Sequence, residues 1–465
     1  MMHFFEWNYH SMKTRFAPSP TGQMHLGNVR TALFSYLLAR YHQGIFLLRI
    51  EDTDKIRSKP EHIQLLKEDL DWLELHWNEG PFFQSERQAI YDEYYAYLEE
   101  HHAVYPCFCS DEQLALARKI QLSASQPPRY TGTCRGLSAA EIESRKKQGM
   151  KPVLRFKVPE DKEILFQDIV KGPQRFQTDD IGDFIIRRAD GSASFFFSNA
   201  IDDALMGVTD TIRGEDHLTN TPRQILILTA LGLTIPHYGH VPLILSAEGG
   251  PLSKREGSLS VESLRKEGFL PIALCNYLGR LGHYYEKNHL MGLEEMAADF
   301  SVSRIGKTPA HFDKTQLLHW QKLAVMQSSE ETFWQWLTPD TQKWVPEDCR
   351  HSFITLMRTH VLFPAEAEAW AKIFFLESDV SAEAAAILEN TAENFLVQLK
   401  ESIEEEGADY PQVIQSISQH SHLKGKALFQ PLRAALTGQT AGPELAGIFK
   451  LLGKKRLLER IKCVS

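Results

Sequence analysis

The stretch from Lys13 to Ile50 constrains this chain most. "TRFAP" suits the end of a strand. "VRTALFSYLLARYHQG" sets Leu33, Phe34, Leu37, Leu38 and Tyr41 on one helical face, with Gly44 as a stop. "IFLLRI" (Ile45–Ile50) is a short apolar run, as expected for a strand buried on both faces of a parallel sheet. Strand, loop, helix and strand in that order make a βαβ unit, whose ligand site lies at the carboxyl ends of its strands. The loop there, "PSPTGQMHLGN", contains Pro18, Pro20, Gly22, His25 and Gly27. Glycines let backbone N–H groups approach a ligand, and a helix N-terminus favours an anion such as phosphate. Taken alone, the motif reads more readily as a strand-to-helix turn with a surface histidine.

With 465 residues the chain exceeds one ordinary domain, and 43% hydrophobic with 24% charged residues is a globular composition. It has no run of eighteen apolar residues, so no membrane is expected as partner, and its first residues do not resemble a signal peptide. The expected location is cytoplasmic. Met12, directly before "KTRFAPSP", reads as the true start, and the eleven residues before it as disordered or spurious. A net charge of -9 gives no global footprint for nucleic acid, although a local basic patch is compatible with it. The six cysteines do not suggest a disulfide framework in so long a chain; the cluster Cys107, Cys109, Cys134 suggests metal or chemistry.

Between Cys107 and about Arg188 the texture changes. "VLRFKVP" and "DFIIRRADGSASFFF" read as strands, the latter as a hairpin turning around Ala189 to Ser192, within an insertion. The α/β pattern returns with "TDTIRGEDH" and the helix "TPRQILILTALGL". Beyond about Pro271 the pattern is nearly all helical.

A second cluster, "ILSAEGGPLSKREGSLS", places Ser253, Lys254 and Arg255 between glycines. A mobile loop with adjacent Lys and Arg suits charge developing on a pyrophosphate leaving group, though alone it reads as a solvated basic turn. Together the clusters resemble the two signatures of class I aminoacyl-tRNA synthetases, here "HLGN" and "LSKR". "RFAPSPTG", "LRIEDTD", "GPFFQSER", "DDALMGVTDTIRGEDHLTNTPRQ" and "LFQPLRAALTG" extend the resemblance to bacterial glutamyl-tRNA synthetase over almost the whole chain.

That resemblance implies an α/β fold: a Rossmann-like parallel-sheet catalytic domain with an α+β insertion, then an all-helical C-terminal anticodon-binding region. The implied divisions are 12–106 and 191–248 for the catalytic halves, 107–190 for an acceptor-binding insertion, 249–325 for the signature loop and a helical stem-contact domain, and 326–465 for anticodon binding. The implied reaction activates L-glutamate with ATP and Mg2+ to an adenylate, then transfers it to the terminal ribose of a tRNA. The tRNA is tRNA-Glu, tRNA-Gln or both, and the enzyme a monomer. A non-catalytic tRNA-binding paralogue is the alternative from another class. A tRNA-modifying paralogue lacks the helical C-terminal region, and small-molecule nucleotidyltransferases share only the histidine turn.

By the same resemblance His25 and Lys254 are catalytic. Gly22, His25, Gly27, Asp216, Leu245, Ser253, Lys254 and Arg255 meet ATP. Arg15, Ser19, Glu51, Phe195, Asn199 and Arg213 meet glutamate. A guanidinium pairs bidentately with a carboxylate in a way lysine does not, which suits Arg213 and Arg15; Glu51 would take the α-amino group. A structural Arg213–Glu51 ion pair is the plain alternative. Glutaminyl relatives have Glu and Asn where this chain has Ser19 and Thr21. Two positions depart from the family. Phe195 stands where most members have tyrosine, removing a hydrogen bond worth roughly 1.5–3 kcal/mol if made to a charged group. Pro251 stands where the loop signature normally begins with lysine.

Many family members hold structural zinc with Cys-x-Cys, a later Cys and a His, but Gly136 occupies that His position here. Tyr130, in the Tyr-x-x-x-Cys spacing of the tRNA-modifying paralogue, completes the candidate Zn2+ set with Cys107, Cys109 and Cys134. Free thiols left from a lost site are the alternative. In the helical region, Arg358 of "LMRTH" is a candidate anticodon contact, His360 beside it a structural residue. The basic end "GKKRLLERIK" is either a phosphate contact or a solvated face.

Overall fold

The computed structural model describes residues 12–54, 56–246, 249, 250, 252, 260–376, 380–391 and 394–462. The residues before Met12 lie outside these, as do Pro251, Ser253, Lys254 and Arg255 of the signature loop.

The βαβ unit forms as expected. β1 (Lys13–Phe16) leads through the Pro/Gly loop into α1 (Leu26–Tyr41), and β2 (Ile45–Ile50) lies parallel to β1 with Arg15 opposite Leu47. Two details differ from expectation. α1 is buried on more than one face, because it packs between the sheet and the helix Leu293–Ala298, while Tyr41 in its last turn is 51% exposed. Gly44 is not the helix stop: Gln43 makes the left-handed turn at φ 52°. Gly44 is required instead by a close approach, since a Cβ there would lie 2.1 Å from the carbonyl oxygen of Met12.

The chain continues through α2 (Pro60–Trp72), β3 (Glu79–Phe83), α3 (Gln88–Glu100) and β4 (Val104–Cys107). In the insertion come α4 (Asp111–Ser123), α5 (Ala139–Lys147), β5 (Val153–Phe156), β6 (Glu163–Asp168), β7 (Gly172–Gln177), α6 (Thr178–Ile181) and β8 (Phe184–Arg187). Strands β4, β5 and β8 make an antiparallel sheet, and β6 with β7 a hairpin. Then follow α7 (Phe195–Leu205), β9 (Asp210–Gly214), α8 (Thr221–Leu231), β10 (His237–Val241), β11 (Ile244–Leu245) and, later, β12 (Ala310–His311).

The hairpin expected around Ala189 to Ser192 has no second strand. A single bridge joins Arg187 to Ala193, and from Phe195 the chain is helical. Helical spacing wins because it buries Phe197, Ala200 and Ile201 together, with the Phe197 ring stacked 4.3 Å from Tyr95.

The five-stranded sheet has the order β10-β9-β1-β2-β3, with every pair parallel. Chain direction across the sheet reverses at β1, between β2 on one side and β9 on the other. A ligand crevice therefore belongs at the carboxyl ends of β1, β2 and β9.

The chain forms two compact units. One runs to Leu264 and takes in Leu274–Asp313; the other holds Arg265–Ala273 and the chain from Lys314 onward. Among the described residues, every regular element of the second unit is helical, around a core that includes Phe333, Phe353, Phe395, Leu399, Ile417 and Phe449. No described helix is long and apolar enough to cross a membrane.

Candidate active site

Strand register assembles the site. Side chains two apart on a strand share a face. Arg15 pairs with Leu47, Thr14 with Asp210, and Arg213 with His240, so Arg15, Arg49, Thr211, Arg213, Tyr238 and His240 share one face of the sheet. Glu51 follows just beyond the end of β2. The same face meets α7, where Phe195, Asn199 and Asp203, each four residues apart, form one row.

Arginines buried on a sheet face need anionic partners. Asp203 supplies one, 3.2 Å from Arg15 Nε and 2.7 Å from Arg49 Nη1. Burial alone would raise its pKa, but the two guanidiniums hold the carboxyl below the usual carboxylate range. Glu51, 6% exposed, accepts from Asn199 Nδ2 at 2.5 Å and from Arg49 Nη2 at 3.3 Å. Gln224 Nε2 donates to Asn199 Oδ1 at 2.7 Å and so fixes the direction of that amide. Burial raises the pKa of Glu51 against the pull of Arg49 and Arg15, the condition of a carboxylate that gains from an incoming cation.

Arg213 is 4% exposed. Its Nε donates to His240 Nε2 at 3.0 Å and its Nη2 to Thr221 Oγ1 at 2.8 Å; Nη1 is buried with no hydrogen-bond partner. Burial, reinforced by Arg15, brings its pKa down to about 10. The partners of Arg213 are neutral, so its charge is not compensated by a hydrogen-bonded carboxylate, and its spare terminal nitrogen could receive an anionic group. The Arg213–Glu51 ion pair is not made: Glu51 is held by Arg49 and Asn199 instead. His217, just after β9, lies with its ring centroid 5.1 Å from that of Phe195. Burial and the charge of Arg213 lower its pKa to about 4, so a neutral imidazole and an apolar ring stand side by side.

Ser19, Gly22 and His25 are exposed in the loop after β1. His25 caps α1, and a Cβ on Gly27 would come within 3.1 Å of its ring. The surrounding protein lowers the pKa of His25, opposed by Asp216. A Cβ on Gly214 would lie 2.3 Å from Asp216 Oδ1, so glycine is what lets Asp216 fold back over the end of β9. Beyond the signature loop the chain returns beside His25: Ser260 bridges to it, and Val261 N donates to Met24 O at 3.1 Å. Leu245 lies on β11, paired with His311 of β12.

The sequence did not single out Arg49, Asp168, Asp203, His217, Thr221, Gln224 or His240. A signal existed for Arg49 and Asp203, since each is a charge inside an apolar period, "IFLLRI" and "NAIDDAL".

In the insertion, the sulfur atoms of Cys107, Cys109 and Cys134 lie within 4.8 Å of one another. Cys109 and Cys134 are 3.7 Å apart, and Tyr130 Oη is 3.4 Å from Cys107 Sγ and 3.5 Å from Cys109 Sγ. Tetrahedral zinc with its ordinary bond lengths requires S···S edges of about 3.8 Å and S···O edges of about 3.5 Å. The Cys109–Cys134 edge and the two Tyr130 edges agree with those lengths. The Arg155 guanidinium lies 3.8 Å from the Tyr130 ring centroid and pulls the pKa of Cys107 down, while burial and the bonds to Cys107 and Cys109 push that of the Tyr130 phenol up.

In the helical unit, Arg358 Nη1 donates to Ser328 O at 2.8 Å, and the His360 ring lies edge-on to Trp370. The basic end is partly structural: Arg460 is buried and donates to Leu436 O, and Arg456 donates to Cys349 Sγ.

Residues 11–319 match the family of class I tRNA synthetases (E and Q), catalytic domain, and residues 326–465 match an anticodon binding domain. Glutamate–tRNA ligase 1 of Coxiella burnetii (strain CbuG_Q212) is 51% identical over 460 residues, covering 97% of this chain and 99% of that protein. Glutamate–tRNA ligase 2 of Nitrosococcus oceani is 50% identical over 468 residues, covering 98% and 99%. The crystal structure of a glutamate tRNA ligase from Elizabethkingia meningosepticum, in complex with its amino acid, has a TM-score of 0.87 at 28% identity and covers 98% of this chain and 99% of that one. With both of its regions matched and nearly all of its length shared with these relatives, the chain belongs to the glutamate–tRNA ligase family of class I aminoacyl-tRNA synthetases.

Proposed function

We propose that the chain joins L-glutamate to tRNA-Glu in two steps, with Mg·ATP as co-substrate. The observation that carries this reading is the unpaired, buried Nη1 of Arg213 on the sheet face that ends in Glu51. An amino acid whose side chain is a carboxylate needs both a fixed cation and a fixed anion, and the crevice offers one of each. Arg213 and Arg15 take the side-chain carboxylate, Glu51 takes the α-ammonium, and Ser19, Asn199 and Phe195 frame the rest. An oxygen of the substrate α-carboxylate attacks the α-phosphorus of ATP and pyrophosphate leaves; a ribose hydroxyl of the tRNA then attacks the acyl carbon and AMP leaves. His25 and Lys254 serve the phosphates, alongside Gly22, Gly27, Ser253 and Arg255, with Asp216 and Leu245 toward the adenosine.

Residues 12–106 and 191–248 make the catalytic halves in this reading, 107–190 meets the acceptor end, 249–325 carries the signature loop and 326–465 meets the anticodon. Zinc, when bound by Cys107, Cys109, Tyr130 and Cys134, cross-links the base of the insertion and takes no part in the chemistry. The setting is the cytoplasm, consistent with the five described cysteines being free thiols.

The test is aminoacylation with Mg·ATP and labelled glutamate, offering tRNA-Glu and tRNA-Gln separately. Charging of tRNA-Glu is expected. Charging of tRNA-Gln alone would reassign the tRNA, and charging of neither would overturn the catalytic reading.

A further inference from the structure

Arg213 gains its orientation from a part of the chain the catalytic motifs do not include. Asp168 ends strand β6 of the insertion and is 1% exposed. Its Oδ1 accepts three backbone N–H groups, from Val170 at 2.9 Å, Lys171 at 2.7 Å and His240 at 3.2 Å. That leaves Oδ2 for the fully buried His240, whose Nδ1 lies 2.5 Å away. The hairpin is tied to the same strand by a hydrogen bond from Ile169 N to Tyr238 O at 2.9 Å.

An ionised carboxylate only accepts hydrogen bonds, so His240 carries its proton on Nδ1. Its Nε2 then presents a lone pair, which receives Arg213 Nε–H at 3.0 Å. Nη2 is held by Thr221, and the planar guanidinium has no rotation left. The result is Nη1 fixed without a protein partner.

We propose that Asp168 and His240 are positioning residues for amino-acid selection: Asp168 fixes the tautomer of His240, and His240 holds Arg213 in the rotational state in which Nη1 is reserved for the substrate. This rests on the reading of Arg213 as the receptor for the glutamate side chain. It makes the insertion hairpin a part of the amino-acid site as well as a neighbour of it.

The decisive variant is Asp168→Asn. Three backbone donors require the amide oxygen at the Oδ1 position, so the amide NH2 faces His240 Nδ1. The imidazole proton moves to Nε2 and meets Arg213 Nε–H, donor against donor. His240→Leu removes the acceptor outright. His240→Gln restores both contacts, because its amide spans a donor and an acceptor as the imidazole does.

The full-length chain and these variants are assayed by aminoacylation of tRNA, reading KM for glutamate, KM for ATP and kcat. Asp168→Asn and His240→Leu are expected to raise KM for glutamate at least tenfold, with kcat falling less and KM for ATP moving less than twofold. His240→Gln is expected to recover most of that loss. Unchanged glutamate KM in His240→Leu, an equal rise in ATP KM, or a His240→Gln variant as impaired as His240→Leu overturns the proposal. Should Asp168→Asn not fold, the two His240 variants decide alone. Arg213→Ala runs alongside. If it leaves glutamate KM unchanged, the receptor reading itself fails and the proposal with it; if it alone raises that KM, only the positioning role of Asp168 and His240 is lost.

Discussion

Gly27 lies against the ring of His25: a methyl group on it would stand 3.1 Å from both Cε1 and Nδ1 of the imidazole. The position is inside the first turn of α1, where alanine is a better helix former by about 1 kcal/mol. Gly27→Ala therefore separates two effects of opposite sign. Thermal or urea unfolding should show unchanged or slightly increased stability, while the displaced imidazole lowers kcat for aminoacylation by about tenfold, a loss of order 1.4 kcal/mol in transition-state stabilisation. A variant with full kcat would mean that His25 does not need its observed place.

Asp203 is the anion on which two buried guanidiniums depend. Asp203→Asn keeps the shape and removes the charge, leaving Arg15 and Arg49 short of compensation. Breaking a buried ion pair from one side costs about 3–5 kcal/mol. The urea midpoint of the first unit should fall by a corresponding amount with its m-value unchanged. A loss under about 1 kcal/mol would show that the remaining Glu51 carboxylate is enough to neutralise this face.

His283 gives the chain an acid-sensitive element away from the active site. The ring is 4% exposed, stacks on Phe300 at 4.9 Å and has Nδ1 without a partner. Burial lowers its pKa to about 4, with the charge of Arg304 acting the same way. The native state holds the ring neutral while the unfolded chain titrates near 6.5. Its contribution is therefore complete above pH 6.5 and lost as pH falls toward 4, amounting to roughly 3 kcal/mol. His283→Phe should flatten the decline in unfolding free energy between pH 7 and pH 4 by about that much. Parallel declines in the two proteins would assign the acid sensitivity to other groups.

How far the sequence could be read depended on the range of the interactions. β1, α1 and β2 were legible because a helical period followed by a short apolar run has few other solutions. Arg213, Glu51 and His25 could be singled out because their motifs resemble those of a known family, and the structure sets Arg213 near the end of β9, Glu51 just beyond β2 and His25 at the start of α1. α7 was missed because "SASFFF" is short and aromatic, which suits a strand locally; only the packing of Phe197 against Tyr95 decides for helix. His240 was missed for a different reason. Its acceptor, Asp168, is 72 residues away in the insertion, and neither side chain carries a local signal of the other. The same holds for Asp203, which needs both Arg15 and Arg49 to be understood. A resemblance between motifs points to candidate ligand-binding groups, whereas the groups that orient them are visible only once the register is known.

The cysteine cluster makes its own prediction, because its geometry is complete without a fifth group. The Cys109–Cys134, Tyr130–Cys107 and Tyr130–Cys109 separations already stand near the edge lengths of a zinc tetrahedron, all three sulfur atoms lie within 4.8 Å of one another, and Gly136 supplies no imidazole. The purified chain should contain zinc at close to stoichiometric content. Cys109→Ala should lose the metal and lower the melting temperature. Tyr130→Phe should keep the three thiolates yet release zinc to a chelator far faster, since water replaces an anionic oxygen held by the fold. Replacement by cobalt should give an absorption spectrum characteristic of tetrahedral thiolate ligation, altered in Tyr130→Phe. A metal-free chain whose melting is indifferent to Cys109→Ala would instead leave four side chains packed as an apolar and hydrogen-bonded cluster, and the tetrahedral spacing would be the consequence of that packing alone.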